Sequence, residues 1–141
     1  MSRTENVTLT NMCMVKNKDQ VLVLDRNDPV WPGLTFPGGH VEAHESFHDS
    51  VVREVKEETG LTISHPQLVG VKQFYDHNDE RYLVFFYIAE QFSGTVKESD
   101  EGKLTWMSAK ELKKQKLAYN FDHDLPCLLY TSPSPRDLST S

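Results

Sequence analysis

The chain has 141 residues, enough for one domain with a core of its own, and 38% of them are hydrophobic and 26% charged. That balance excludes a disordered chain, and a formal net charge of −6 denies nucleic acid a phosphate-neutralising surface. A polyphosphate can still bind if metal ions stand between it and the protein, so the placement of the 21 acidic residues becomes the useful question.

The N-terminal MSRTENVTLT has no apolar signal region, which makes the cytoplasm the default location. Residues 7–15, VTLTNMCMV, are β-branched and apolar and predict a strand. KNKDQ is a polar turn, and Val21 to Leu24 predicts a second, buried strand, so the two together resemble a hairpin. DRNDPVWPG is a loop broken by Pro29, Pro32 and Gly33. LTF is a short strand that stops at Pro37, and Gly38-Gly39 permits a backbone turn.

Residues 46–59 form the best helix of the chain. Ser46 can cap it with Asp49 three residues on, Val51, Val52, Val55 and Thr59 share a weakly apolar face, and Gly60 ends it in the position that favours a left-handed residue. Two more strands follow, at 68–75 and 81–92, joined by the turn DHNDE and therefore expected to pair antiparallel. The run YLVFFYIA at 82–89 is the longest apolar stretch, far too short to cross a bilayer. A strand at 103–107 leads into Ser108-Ala109-Lys110-Glu111, a capping box opening a short helix. Cys13 and Cys127 imply no disulfide framework and read as one strand thiol and one tail thiol.

Residues 131–141, TSPSPRDLSTS, have almost nothing apolar to bury and predict disorder. CLLYTSPSPRDLSTS also resembles translated adaptor sequence, so the expected division is one domain over 1–126 and a disordered, non-native tail over 127–141.

Two patterns compete for the chemistry. His44-Glu45-Ser46-Phe47-His48 is H-E-x-x-H, the zinc-peptidase pattern. A cap at Ser46 leaves His44 outside the helix, so the two imidazoles would not share a face. A third ligand is also required, and His65, His77 and His123 have no motif around them. The other pattern is Glu54, Glu57 and Glu58, at i, i+3 and i+4, within a stripe about 100° wide. Three like charges there destabilise an isolated helix, whether as a solvated charged face or as a ligand set. A hard divalent cation reverses that sign, and magnesium or manganese fits carboxylate oxygens best. Arg53 stands four residues before Glu57 and can pair with it.

The context decides between them. From Gly39 the chain runs GHVEAHESFHDSVVREVKEETGL, which resembles the Nudix box, G-x5-E-x7-R-E-U-x-E-E-x-G-U with U aliphatic; every fixed position is met. The resemblance extends over residues 5 to 125 and fails over the tail. It implies an α+β Nudix fold, an α/β/α sandwich around a mixed sheet, and hydrolysis of a nucleoside diphosphate linked to another group.

Position by position, it implies that Glu54, Glu57 and Glu58 bind Mg2+ or Mn2+, and that the Gly38 carbonyl completes the shell. Arg53 orients the glutamates. Glu45 braces the loop and helix, within a box framed by Gly39 and Gly60. Glu101, ahead of Glu98 and Asp100, supplies a further acid from a later loop. Glu54 is the chosen general base.

The resemblance implies a nucleotide substrate. EGKLTWMSAKEL with LAYN after it resembles the MutT-type group, which converts oxidised deoxyguanosine triphosphate to the monophosphate and pyrophosphate. Asn120 is a candidate for a purine edge, with a cap or loop role as the alternative; Phe36 and Phe74 are candidates for stacking on the base, with core packing as the alternative. ADP-ribose and dinucleoside polyphosphates remain alternative substrates, Tyr75 and Tyr82 hinting faintly at the latter. A non-catalytic nucleotide sensor is the alternative of another class; retention of all four box glutamates favours the enzyme. No membrane or nucleic-acid partner is expected, and a monomer or a homodimer is the expected state.

Overall fold

The computed structural model describes residues 3–26, 33–97 and 102–114. In chain order the elements are β1 (Val7–Asn17), β2 (Gln20–Arg26), β3 (Gly33–Thr35), β4 (Gly38–His40), α1 (Phe47–Thr59), β5 (Thr62–Ser64), β6 (Gln67–Tyr75), β7 (Arg81–Ala89), β8 (Gln91–Ser93), β9 (Gly102–Ser108) and α2 (Ala109–Leu112).

The central sheet has the order β3-β2-β1-β7-β6, with β4 also on β1 and β9 on β2. It is mixed because β1 and β7 run parallel, from Val7 opposite Arg81 to Val15 opposite Ala89. The β6–β7 pair is antiparallel as expected, with a bulge between Leu68 and Gly70.

Strand alternation builds two cores from one sheet. Val21, Val23, Met14, Phe86 and Ile88 face one side, with Phe36 and Leu112 of α2. Leu22, Leu24, Cys13, Val15, Tyr87 and Ala89 face the other, against Val51 and Val55 of α1. A helix therefore closes each face, the expected three-layer arrangement. Fully burying each of those two helix valines stabilises the packing by about 1.5–3 kcal/mol relative to exposure. Burial also pushes the Cys13 thiol far above its ordinary range, so it packs as a small apolar group.

The expected hairpin of β1 and β2 is present, antiparallel through Lys16–Val21 and Asn17–Gln20; further along the same edge of β1 the partner is β4. Two expectations are corrected. Gly38-Gly39 is not a turn but part of that strand, pairing with Met12 and Asn11. The strand expected over 81–92 breaks at Glu90, and β8 leaves to form a separate two-stranded sheet with β5, a strand the sequence did not suggest. That departure seats Phe92 opposite Ile63 and stacks it on Trp106 at 5.6 Å.

Candidate active site

Helix α1 is fixed at both ends by local chemistry. The Ser46 hydroxyl accepts from the Asp49 amide at 3.0 Å. Gly60 adopts φ 83°, the left-handed cap, and donates its amide to the Lys56 carbonyl at 2.9 Å. His44 precedes the cap with φ 65°, while His48 lies inside the helix, so the two imidazoles do not stand on one helical face.

Arg53 is the hub of the site. Its Nε and Nη2 donate to the two oxygens of Glu45, at 2.7 and 2.9 Å, a bidentate pair. Nη1 donates to Glu54 at 2.8 Å and to Glu57 at 3.2 Å, and Nη2 also reaches the His40 carbonyl at 3.1 Å. The guanidinium hydrogen bond, helped by the Glu42 amide, holds the Glu45 carboxyl down at about 2. Reciprocally, Glu45 and then Glu54 hold the Arg53 charge more firmly than usual.

The three helix glutamates are not equivalent. Glu58 is only 9% exposed and accepts the Gly38 amide at 3.2 Å. Glu54 has a side chain 14% exposed, and its carboxylate lies so close to Gly39 that a methyl there would overlap it. Glu57 is 59% exposed and is linked to Glu54 through Arg53. Glycine at 38 is required by close approach, since a methyl there would run into the Asn11 backbone, while a methyl at 39 would push the Glu54 carboxylate out of its place.

Two polar residues the sequence reading passed over complete the joint between β4 and α1. Asn11, in the middle of β1, donates to the Ser50 hydroxyl at 2.8 Å and accepts the Gly39 amide at 3.2 Å. An asparagine inside an apolar strand was the signal that could have found it.

Among the described residues no three acidic, histidine or cysteine side chains group tightly enough to hold a metal ion by themselves. The donor set still fits a hard divalent cation in kind: two carboxylates withdrawn from solvent against a glycine strand and a third tied to one of them, Glu54, by Arg53. Glu101, Glu98, Asp100 and Asn120 lie outside the described residues. Phe36 is buried in the core beside α2, and Phe74 is half-buried and stacked on Tyr82 at 4.8 Å. No helix among the described residues is long and apolar enough to cross a membrane.

Comparison with known proteins agrees with the box. The NUDIX domain family model matches residues 8–126. The uncharacterised Nudix hydrolase YvcI of Bacillus subtilis is 36% identical over 122 residues, 83% of this chain and 76% of that protein. The 8-oxo-dGTP diphosphatase of Escherichia coli is 38% identical over 77 residues, 53% of this chain and 57% of that protein. The ADP-ribose pyrophosphatase of Methanocaldococcus jannaschii is 32% identical over 92 residues, 64% of this chain and 54% of that protein. Among solved structures, a mutator MutT protein from Bacillus halodurans matches with a TM-score of 0.77 at 31% identity, covering 88% of this chain and 83% of that one.

Proposed function

The chain belongs to the Nudix family of hydrolases, and on that premise we propose that it is a Mg2+- or Mn2+-dependent pyrophosphohydrolase of the MutT type, converting dGTP or 8-oxo-dGTP to the monophosphate and pyrophosphate. The observation that carries this reading is the seating of Glu54 and Glu58 against Gly38 and Gly39, with Arg53 tying Glu54 to Glu57. The likeness to the diphosphatase of Escherichia coli supports the choice of substrate.

Glu54, Glu57 and Glu58, with the Gly38 carbonyl and Glu101, would hold the metal. Bound there, it would neutralise phosphate charge and make water acidic enough to attack near neutral pH. Glu54 is the base that takes the proton from the attacking water. Water adds to the phosphorus on one side of the α–β anhydride, the bond from that phosphorus to the bridging oxygen breaks, and the bridging oxygen leaves with the other phosphate, so that the products are the nucleoside monophosphate and pyrophosphate. Arg53 keeps Glu54 and Glu57 from drifting apart under their own repulsion, while Glu45 anchors Arg53. Residues 1–126 are the catalytic domain in this reading, acting as a monomer or homodimer.

The test is chromatographic separation of the products formed with Mg2+ from a panel of dGTP, 8-oxo-dGTP, the other nucleoside triphosphates, ADP-ribose and dinucleoside polyphosphates, with pyrophosphate measured alongside. Pyrophosphate released fastest from dGTP or 8-oxo-dGTP is the expected result. Fastest cleavage of ADP-ribose, the substrate named for the Methanocaldococcus relative, would move the assignment there. Binding of nucleotides with turnover of none would replace the enzyme by a sensor.

A further inference from the structure

Asn11 is 3% exposed and Ser50 is fully buried, yet both are polar. Burying an amide and a hydroxyl costs free energy unless each finds a partner, and an apolar pair would fill the same space at lower cost. Their partners are specific. Asn11 takes the Gly39 amide with its oxygen and gives its Nδ2 to Ser50; Ser50 in turn donates to the His40 carbonyl at 3.5 Å. That carbonyl also receives Arg53. One side chain from β1 and one from α1 therefore grip two consecutive residues of β4. The first of them, Gly39, lies so close to the Glu54 carboxylate that a methyl group there would overlap it, and its neighbour Gly38 donates its amide to Glu58 at 3.2 Å.

We propose that Asn11 and Ser50 are positioning residues that set the distance between the Gly38-Gly39 strand and the glutamate face of α1, and through it the affinity of the site for its divalent cation. This rests on the metal-dependent reading above. A ligand set held by partners outside it loses affinity when those partners are removed, typically by about 10–100-fold.

The test compares Mn2+ binding, read from the free-ion electron paramagnetic resonance signal, in wild type, in the double variant Asn11→Leu/Ser50→Ala and in Thr10→Val. Thr10 is buried on the same strand, but its hydroxyl bonds to Leu83 on β7 and not to β4. Thermal melts and the Mg2+ dependence of turnover accompany each. The double variant is expected to bind Mn2+ about tenfold more weakly and to need correspondingly more Mg2+ for half-maximal turnover. Thr10→Val is expected to lose thermal stability with Mn2+ affinity unchanged. Should the double variant fail to fold, Ser50→Ala alone carries the same comparison, with a loss of about threefold. Wild-type Mn2+ affinity in the folded double variant, or in Ser50→Ala where that stands in, overturns the proposal, as does an equal loss in Thr10→Val. A wild-type protein that binds no Mn2+ and turns over no nucleotide overturns the enzyme reading itself.

Discussion

Two arginines organise the polar surface of this molecule, and they do different things. Arg53 holds three carboxylates and a backbone carbonyl, and two of those carboxylates, Glu45 and Glu54, are about 85% withdrawn from solvent. Arg81, at the start of β7, ties Glu5 and Gln73 together and lies 5.1 Å over the Tyr75 ring, but Glu5 is 52% exposed. Both guanidiniums gain from their partners. The difference is what stands behind the partners. Around Arg53 there is a capped helix and a glycine strand that fix the acids in place; around Arg81 there is solvent, which screens the pair to little net effect. A salt bridge acquires a function when the scaffold has already removed its freedom.

The contrast breaks most visibly at the glutamates of the Arg53 helix. Glu57→Gln or Glu58→Gln should lower kcat by about three orders of magnitude or more, with the far-ultraviolet spectrum unchanged. A glutamine at 58 can still accept the Gly38 amide, so the fold keeps that bond. Turnover near wild type in both variants would remove the mechanism.

A smaller effect separates the arginines themselves. Arg53→Lys keeps the charge but loses the fork that grips Glu45 with two bonds while reaching Glu54 and Glu57, and should cost about 10–100-fold in kcat. Arg81→Lys should leave kcat unchanged and move the Tm little. Steady-state kinetics on the pair would show whether position or residue type matters.

Acid titration sharpens the comparison further. The Glu45 carboxyl is held at about 2, below its ordinary 4.5, so the unfolded chain binds its proton first. Its contribution to stability is therefore complete above pH 4.5 and fades as the pH falls toward 2. Glu45→Gln should flatten the fall of Tm across that window, whereas Glu5→Gln should change it less because Glu5 lies in water. The smallest expected effect is none: deleting residues 127–141 should leave Tm and turnover where they are, and a clear loss of either would show that those residues belong to the domain.

How much was legible depended on the range of the interaction. Ser46, Asp49 and Gly60 act on backbone within four residues of themselves, and the helix they delimit was read to within one residue. The spacing of Arg53 and Glu57 on one helix made their ion pair foreseeable in the same way. Gly38-Gly39 was misread because a glycine pair suggests a turn, whereas here it answers a steric demand from Asn11 and Glu54, residues distant in sequence. The long run ending at Phe92 was read as one strand because periodicity within a strand carries no information about which sheet its end will join.

By itself, then, the chain's order of residues determined the glutamate helix, its caps and the spacing of its charges, all consequences of backbone geometry repeating every 3.6 residues. Only the tertiary structure decided that β1 runs parallel to β7, that Glu58 lies buried while Glu57 reaches solvent, and that Asn11 meets Ser50 across β4. Those outcomes come from pairings between segments far apart along the chain, whose energies depend on burial and register that no local window contains.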